Sequence, residues 1–351
     1  MRTILDLILR VNRFITDLVI TLYPLRAVCQ VGKRTSAENE AGSRTGGLSG
    51  KIAAMASTSP PTTIDESTLA SSLTGEVYWA LGLSKTGFLR ATTGWVFRPI
   101  ARRFARMWLD FDHNFLREGL QLAARDFLTP LVKEVKACGA EHIPSSGPLI
   151  IASNHPGAYD SISIMSQIPH PNLKVITGDI PIFNLLPHAP EVVIFAYGAA
   201  GNPSSSVRAG IRHLKAGGAL LIFPTGFIDP DPDLWDDAAE HLEHWSPSLE
   251  VFLRHAPETR IVVTITSGVL SPRWARSRIA RLRRNGHEHR RLAEFLQVMA
   301  QLVRPGRDLY TTRLSFAPAL SLADLGGGDG PVLENLIARA KALLQEHMTW
   351  R

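Results

Sequence analysis

Cysteine is nearly absent from the 351 residues, with only Cys29 and Cys138 present. Two thiols make neither a disulfide framework nor a cysteine-based zinc site. That argues against a small secreted fold and suits a reducing, cytosolic compartment. Long uncharged apolar runs are missing as well. No stretch reaches the about 18 residues that a membrane-spanning helix needs. Strong charge imbalance is also missing: 38 Lys and Arg against 32 Asp and Glu leave +6. With 45% hydrophobic and 20% charged residues, whole-chain disorder is excluded. The length allows one large domain with appendages, or two domains.

The amino-terminal third divides into three parts. In residues 1–30, Asp6, Arg10, Arg13 and Asp17 recur at helical spacing and make one polar stripe on an otherwise apolar helix. Such a helix can lie in a membrane interface. Two other readings stay open, an ordinary packed helix or an untranslated extension ahead of a start at Met55. Residues 31–75 hold 29 Gly, Ser, Thr, Ala or Pro among 45 and are expected to form a disordered linker, since so little apolar area offsets the entropy of ordering. Residues 76–132 are expected to be helical. There Phe97, Ile100, Phe104, Met107, Trp108 and Phe111 share one side of a wheel, with Arg98, Arg102 and Arg106 nearly opposite. This face suits either an anionic lipid surface or the protein's own core.

From about residue 133 short apolar runs alternate with helical stretches. The runs are Leu149–Ala152, Leu173–Ile176, Val192–Phe195, Leu220–Phe223 and Ile261–Ile265. The pattern predicts an α/β fold, a mostly parallel central sheet flanked by helices. Thr311–Phe316 alternates like an edge strand, and Val332–Met348 reads as a closing amphipathic helix.

Just past the first run stands Ser153-Asn154-His155-Pro156-Gly157-Ala158-Tyr159-Asp160. Pro156 suits a helix start, which leaves His155 outside the helix and Asp160 within it. From there the imidazole can bend back to the carboxylate. A carboxylate on one ring nitrogen fixes the tautomer and leaves the other nitrogen to take a proton from a hydroxyl. A capping His and a structural helical Asp would give the same letters.

Context adds to the pair. Gly139-Ala140-Glu141-His142-Ile143-Pro144 and Gly147-Pro148 lead into the strand and the Asn-His-x4-Asp sequence, Leu214-Lys215-Ala216-Gly217-Gly218 and Leu221-Ile222-Phe223-Pro224-Thr225-Gly226 follow, and Ile261–Ile265 comes last. Together these resemble the glycerolipid acyltransferase family, which includes lysophosphatidate acyltransferase, over roughly residues 133–320. The resemblance implies phospholipid biosynthesis: transfer of an acyl group from acyl-CoA or acyl-carrier protein to a hydroxyl of a lipid or related acceptor. His155 would be the general base, Asp160 its orienting partner, and Asn154, Pro224, Thr225 and Gly226 would meet substrate. It implies no metal and no cofactor beyond the acyl donor. An enzyme of this kind is expected as a peripheral protein on the cytoplasmic, inner face of a membrane.

Departures from the family pattern are specific. Thr225 stands where a Glu usually follows the Pro, Phe227 where a Thr follows the Gly, and no Arg follows Val192–Phe195. Either the acceptor is not a glycerol phosphate, or its anion site is rebuilt. Ser204 at a helix start, with Arg208 and Arg212 on one helix face, are the candidates for rebuilding. Asp229, Asp231, Asp233, Asp236 and Asp237 lack the spacing of a calcium loop and read as solvated. Residues 273–291 carry eight arginines against Glu288, a patch suited to anionic lipid, an acidic carrier protein or CoA phosphates. No nucleic-acid-binding module accompanies it. Two other functions fit the same residues: a thioester hydrolase using the dyad on water, and a lipid-binding relative that does not turn over.

Overall fold

The computed structural model describes residues 66–80, 88–157, 159–178, 180, 182–196, 203–283, 285–327 and 330–350. The amino-terminal helix expected in residues 1–30 and linker residues 31–65 lie outside them.

Seven strands form one sheet: β1 (Val132–Cys138), β2 (Leu149–Ser153), β3 (Leu173–Thr177), β4 (Val193–Phe195), β5 (Ala219–Ile222), β6 (Arg260–Ser267) and β7 (Tyr310–Phe316). Their spatial order is β1-β7-β6-β2-β5-β3-β4, and every pairing is parallel except β6 with β7. The main helices are α1 (Glu66–Ala80), α2 (Phe88–Glu118), α3 (Leu120–Leu128), α4 (Asp160–Met165), α5 (Pro203–Lys215), α6 (Ser248–His255), α7 (Gly286–Val303) and α8 (Val332–Thr349). The expected α/β architecture is the one observed.

The central strands are continuous apolar runs because helices cover both of their faces. In β2, Leu149 and Ile151 join a core layer with α3 and α4, while Ile150 and Ala152 join the opposite layer with α6 and α8. The chain therefore leaves β2 toward one face and leaves β5 toward the other. Their carboxyl ends flank a switch point, where α/β sheets open a crevice.

Three expectations need correction. Residues 66–75, read as linker, belong to α1, because Leu69 and Ala70 are buried with Ala101 and Ala105 of α2. Small side chains here allow close helix approach, which composition alone reads as disorder. The helical segment 76–132 is not separate from the sheet, since Phe111, Leu120 and Phe127 share a core with Ile151 and Leu221. Finally, β7 is not an edge strand: it lies between β1 and β6. Its polar residues are buried in a network rather than solvated. Ser315 Oγ and Ser267 Oγ lie 2.7 and 2.8 Å from the two ring nitrogens of buried His347, and Arg313 pairs with Asp233.

Candidate active site

His155 stands two residues past the end of β2 and packs its ring on Phe223, which follows β5, with centroids 4.4 Å apart and planes 27° from parallel. Its Nδ1 lies 2.7 Å from Asp160 Oδ2 at the first residue of α4. Asp160 is fully buried, which a carboxylate tolerates only with its oxygens engaged. Here the backbone amides of Gly157 and Ser161 donate to it as well. The sequence-predicted pair is therefore one unit, with the imidazole one-fifth exposed and its carboxylate wholly enclosed.

Burial alone would lower the basicity of His155. The charge and hydrogen bond of Asp160, with Glu294 and Asp229 behind it, outweigh burial and raise its pKa to about 9. The imidazolium form is thus favoured at neutral pH.

The loop after β5 braces the loop after β2. Asp229 Oδ2 accepts the His155 backbone amide at 2.8 Å, and the Asp229 amide donates to the His155 carbonyl at 2.7 Å. Thr225 Oγ1 donates to the same carboxylate at 3.1 Å. Gly226 takes the left-handed φ of 68° that turns the chain between them. Pro224 is buried, and its carbonyl accepts the Ser246 amide. Pro224, Thr225 and Gly226 thus stand beside His155 as the brace behind it.

The aspartate cluster is solvated only in part: Asp233 and Asp236 are exposed, as expected, but the first two members are not. Asp229 is 2% and Asp231 0% exposed. Asp231 accepts four backbone amides, from Asp233, Gly268, Val269 and Leu270, and so fastens the end of β6. Burial, against those amides, pushes its carboxyl up to about 6. Among the described residues, no group of three or more His, Cys, Asp or Glu is arranged to hold a metal ion.

Asn154 is likewise a brace. Its Nδ2 donates to the Thr266 carbonyl at 2.9 Å and its Oδ1 accepts the Thr266 amide at 2.8 Å, with the residue 3% exposed. The side chain expected to meet substrate is engaged with β6 instead.

A cavity of about 390 Å³ opens from His155 into the layer between α2, α3, α4 and the sheet. That lies within the range of roughly 300–1,000 Å³ that holds small molecules. Phe104, Trp108 and Phe111 of α2, Phe127, Met165 and Val175 line it. The aromatic face of α2 therefore turns inward, while Arg98, Arg102 and Arg106 are exposed and Arg106 pairs with Glu66. No sequence pattern announced the cavity, because its walls come from elements far apart in the chain.

Helix α7 supplies one wall. Glu294 and Val298 line the cavity, and an added Cβ at Gly157 would come within 3.7 Å of the Glu294 carboxyl. Two turns earlier His287 meets Phe227 edge to face at 5.4 Å. Burial, then Arg291 and Arg290, lowers His287 to about 4. Burial with the nearby Glu294 charge pushes the Tyr159 phenol up, and its hydroxyl donates to Gln301 at 2.9 Å.

The basic residues sit elsewhere than expected. Ser204, Arg208 and Arg212 are exposed on α5, whose inward residues Val207, Ile211 and Leu214 pack on the face opposite the cavity. The arginine-rich stretch is only partly a surface patch. Arg283 is 7% and Arg290 6% exposed, the first paired with Glu288 and the second over the Trp235 ring. Arg276, Arg278 and Arg281 are exposed beside Ile279, which is 46% exposed. No described helix is long and apolar enough to cross a membrane.

No protein-family model matches the chain, and no curated protein matches it. Among solved structures it is similar to the 1-acyl-sn-glycerophosphate acyltransferase PlsC from Thermotoga maritima, with a TM-score of 0.41 and 15% identity over 81% of this chain and 96% of that one.

Proposed function

We propose that the chain is an acyltransferase that moves a fatty acyl group from a thioester, acyl-CoA or acyl-carrier protein, to a hydroxyl of a lipid-like acceptor. One observation carries the reading: an imidazole tied at 2.7 Å to a buried carboxylate opens directly onto an apolar cavity of about 390 Å³. Polar chemistry beside a hydrocarbon-shaped space is what transfer of a fatty chain requires.

In this mechanism the acyl chain lies along Trp108, Phe127 and Val175, with its carbonyl near His155. With Nδ1 held by Asp160, the neutral ring takes the acceptor's proton on Nε2. The hydroxyl oxygen attacks the thioester carbonyl carbon, and the tetrahedral intermediate collapses with cleavage of the carbon–sulfur bond. The departing thiolate takes the proton back from Nε2. No covalent enzyme intermediate forms, and Asp160 holds Nδ1 of the ring throughout. General-base catalysis of this kind contributes about 10²- to 10⁴-fold.

Peripheral contact with an anionic membrane on its cytoplasmic face belongs to the same proposal. The exposed Ile279 among Arg276, Arg278 and Arg281 supports it.

The test is incubation of the full chain with oleoyl-CoA and a panel of lysolipid and alcohol acceptors, with products identified by mass. An acylated acceptor supports the reading. Free fatty acid formed at the same rate with and without every acceptor rejects it in favour of a hydrolase.

A further inference from the structure

We propose that Glu294 is the acceptor-positioning residue, taking a hydrogen bond from a second hydroxyl of a neutral, polyhydroxylated lipid head group while His155 takes the proton of the reacting one. The inference rests on the acyl-transfer reading and names its acceptor class. Glu294 lines the same cavity as His155, and its carboxyl lies against Gly157 in the loop between His155 and Asp160. A carboxylate offers acceptors only, so what it receives is a donor. Glu294 already interacts within the protein, and two oxygens with about four lone-pair sites leave capacity for more.

Charge then selects among donors. Among the described residues, no Lys or Arg lines the cavity. A phosphate monoester would enter beside the Glu294 carboxylate, with the His155 imidazolium as the one cation among the described lining residues and Arg290 and Arg291 set outside the lining near His287, at a high desolvation cost. An ammonium head group would face that same imidazolium, which persists below about pH 9. A neutral diol meets neither penalty. One hydroxyl reaches His155 and its neighbour reaches Glu294, which fixes the reacting oxygen at the ring. Arg208 and Arg212, on the other face of the sheet, do not alter this balance.

The experiment is calorimetric titration of the full chain, without acyl donor, with 1-decanoylglycerol and with 1-decanoylglycerol 3-phosphate. The wild type should bind the neutral diol more tightly. Glu294→Ala should weaken the diol roughly tenfold or more, the scale of a hydrogen bond to a charged group, and leave the phosphate unchanged or tighter. Glu294→Gln keeps an acceptor oxygen in place and should lose only about threefold. Phosphate binding by the wild type as tight as diol binding overturns the proposal. So do equal losses for both ligands in both variants, or no diol binding at all. Failure of the acyl-transfer reading is a separate event, the lack of any acylated product, because these titrations need no turnover.

Discussion

Asp229 grips the backbone of His155 from both sides, accepting its amide at 2.8 Å and donating to its carbonyl at 2.7 Å. The loops after β2 and β5 are thereby locked in one geometry, and the imidazole is aimed by the chain as well as by Asp160. Preorganisation of this kind matters because displacement of about 1 Å can cost 10²-fold in rate. Asp229→Ala should lower kcat/KM by roughly tenfold or more and stability by about 1–3 kcal/mol, the cost of a buried donor left unsatisfied. Asp229→Asn, which keeps one accepting oxygen, should lose less of both. Steady-state kinetics and urea unfolding on the two variants check this. Equal activity in both variants and the wild type would contradict it.

Activity should rise with pH. The base works as neutral imidazole, and His155 is held up to about 9, so its working fraction grows about tenfold per pH unit below that value. Asp160→Asn removes the partner charge, so the inflection in kcat/KM should move to lower pH while the plateau falls. Stability follows the same linkage. The folded value lies above the ordinary 6.5, so the pair's contribution is complete below about pH 6.5 and is lost as pH rises through about 9. Unfolding of wild type and Asp160→Asn at pH 6 and pH 10 should show the wild-type advantage shrink at the higher pH.

Asp231 is a fastener whose loss is felt in stability. Asp231→Ala strips the acceptor from the amides of Asp233, Gly268, Val269 and Leu270, and should cost on the order of 3 kcal/mol. Urea unfolding measures it, and a loss below about 0.5 kcal/mol, the scale of an ordinary surface change, would contradict the assignment.

The cavity should discriminate by chain length. Val175→Phe projects a ring into the space beside Phe127 and Met165. It should lower kcat/KM for oleoyl-CoA more than for hexanoyl-CoA. Equal effects on the two donors would show that the acyl chain lies elsewhere.

Much of the fold was legible because buried parallel strands carry apolar side chains on both faces, as Leu149–Ile151 and Leu220–Leu221 do. The His155–Asp160 pair was legible because its parts lie five residues apart across one strand-to-helix turn. What escaped depends on contacts distant in sequence. Thr312 and Ser315 look solvent-facing, yet both are buried on β7, one strand in from the sheet's edge. Asp229 and Asp231 sit in a proline-rich acidic run that resembles exposed loop, and only the approach of His155 and of the residues after β6 turns them into braces. Glu294 has no local signature at all, since the Gly157 loop it approaches lies more than a hundred residues earlier in the chain. Arg208 and Arg212 share a helix face as expected, and the sequence could not tell that the face belongs to the side away from the cavity.

The most direct test of the central claim is the rate of acyl transfer from oleoyl-CoA by His155→Ala, measured beside the wild type with the best acceptor of the panel. The account predicts a fall of about 10²- to 10⁴-fold with folding intact by circular dichroism. Transfer at the wild-type rate would show that this imidazole is not the base.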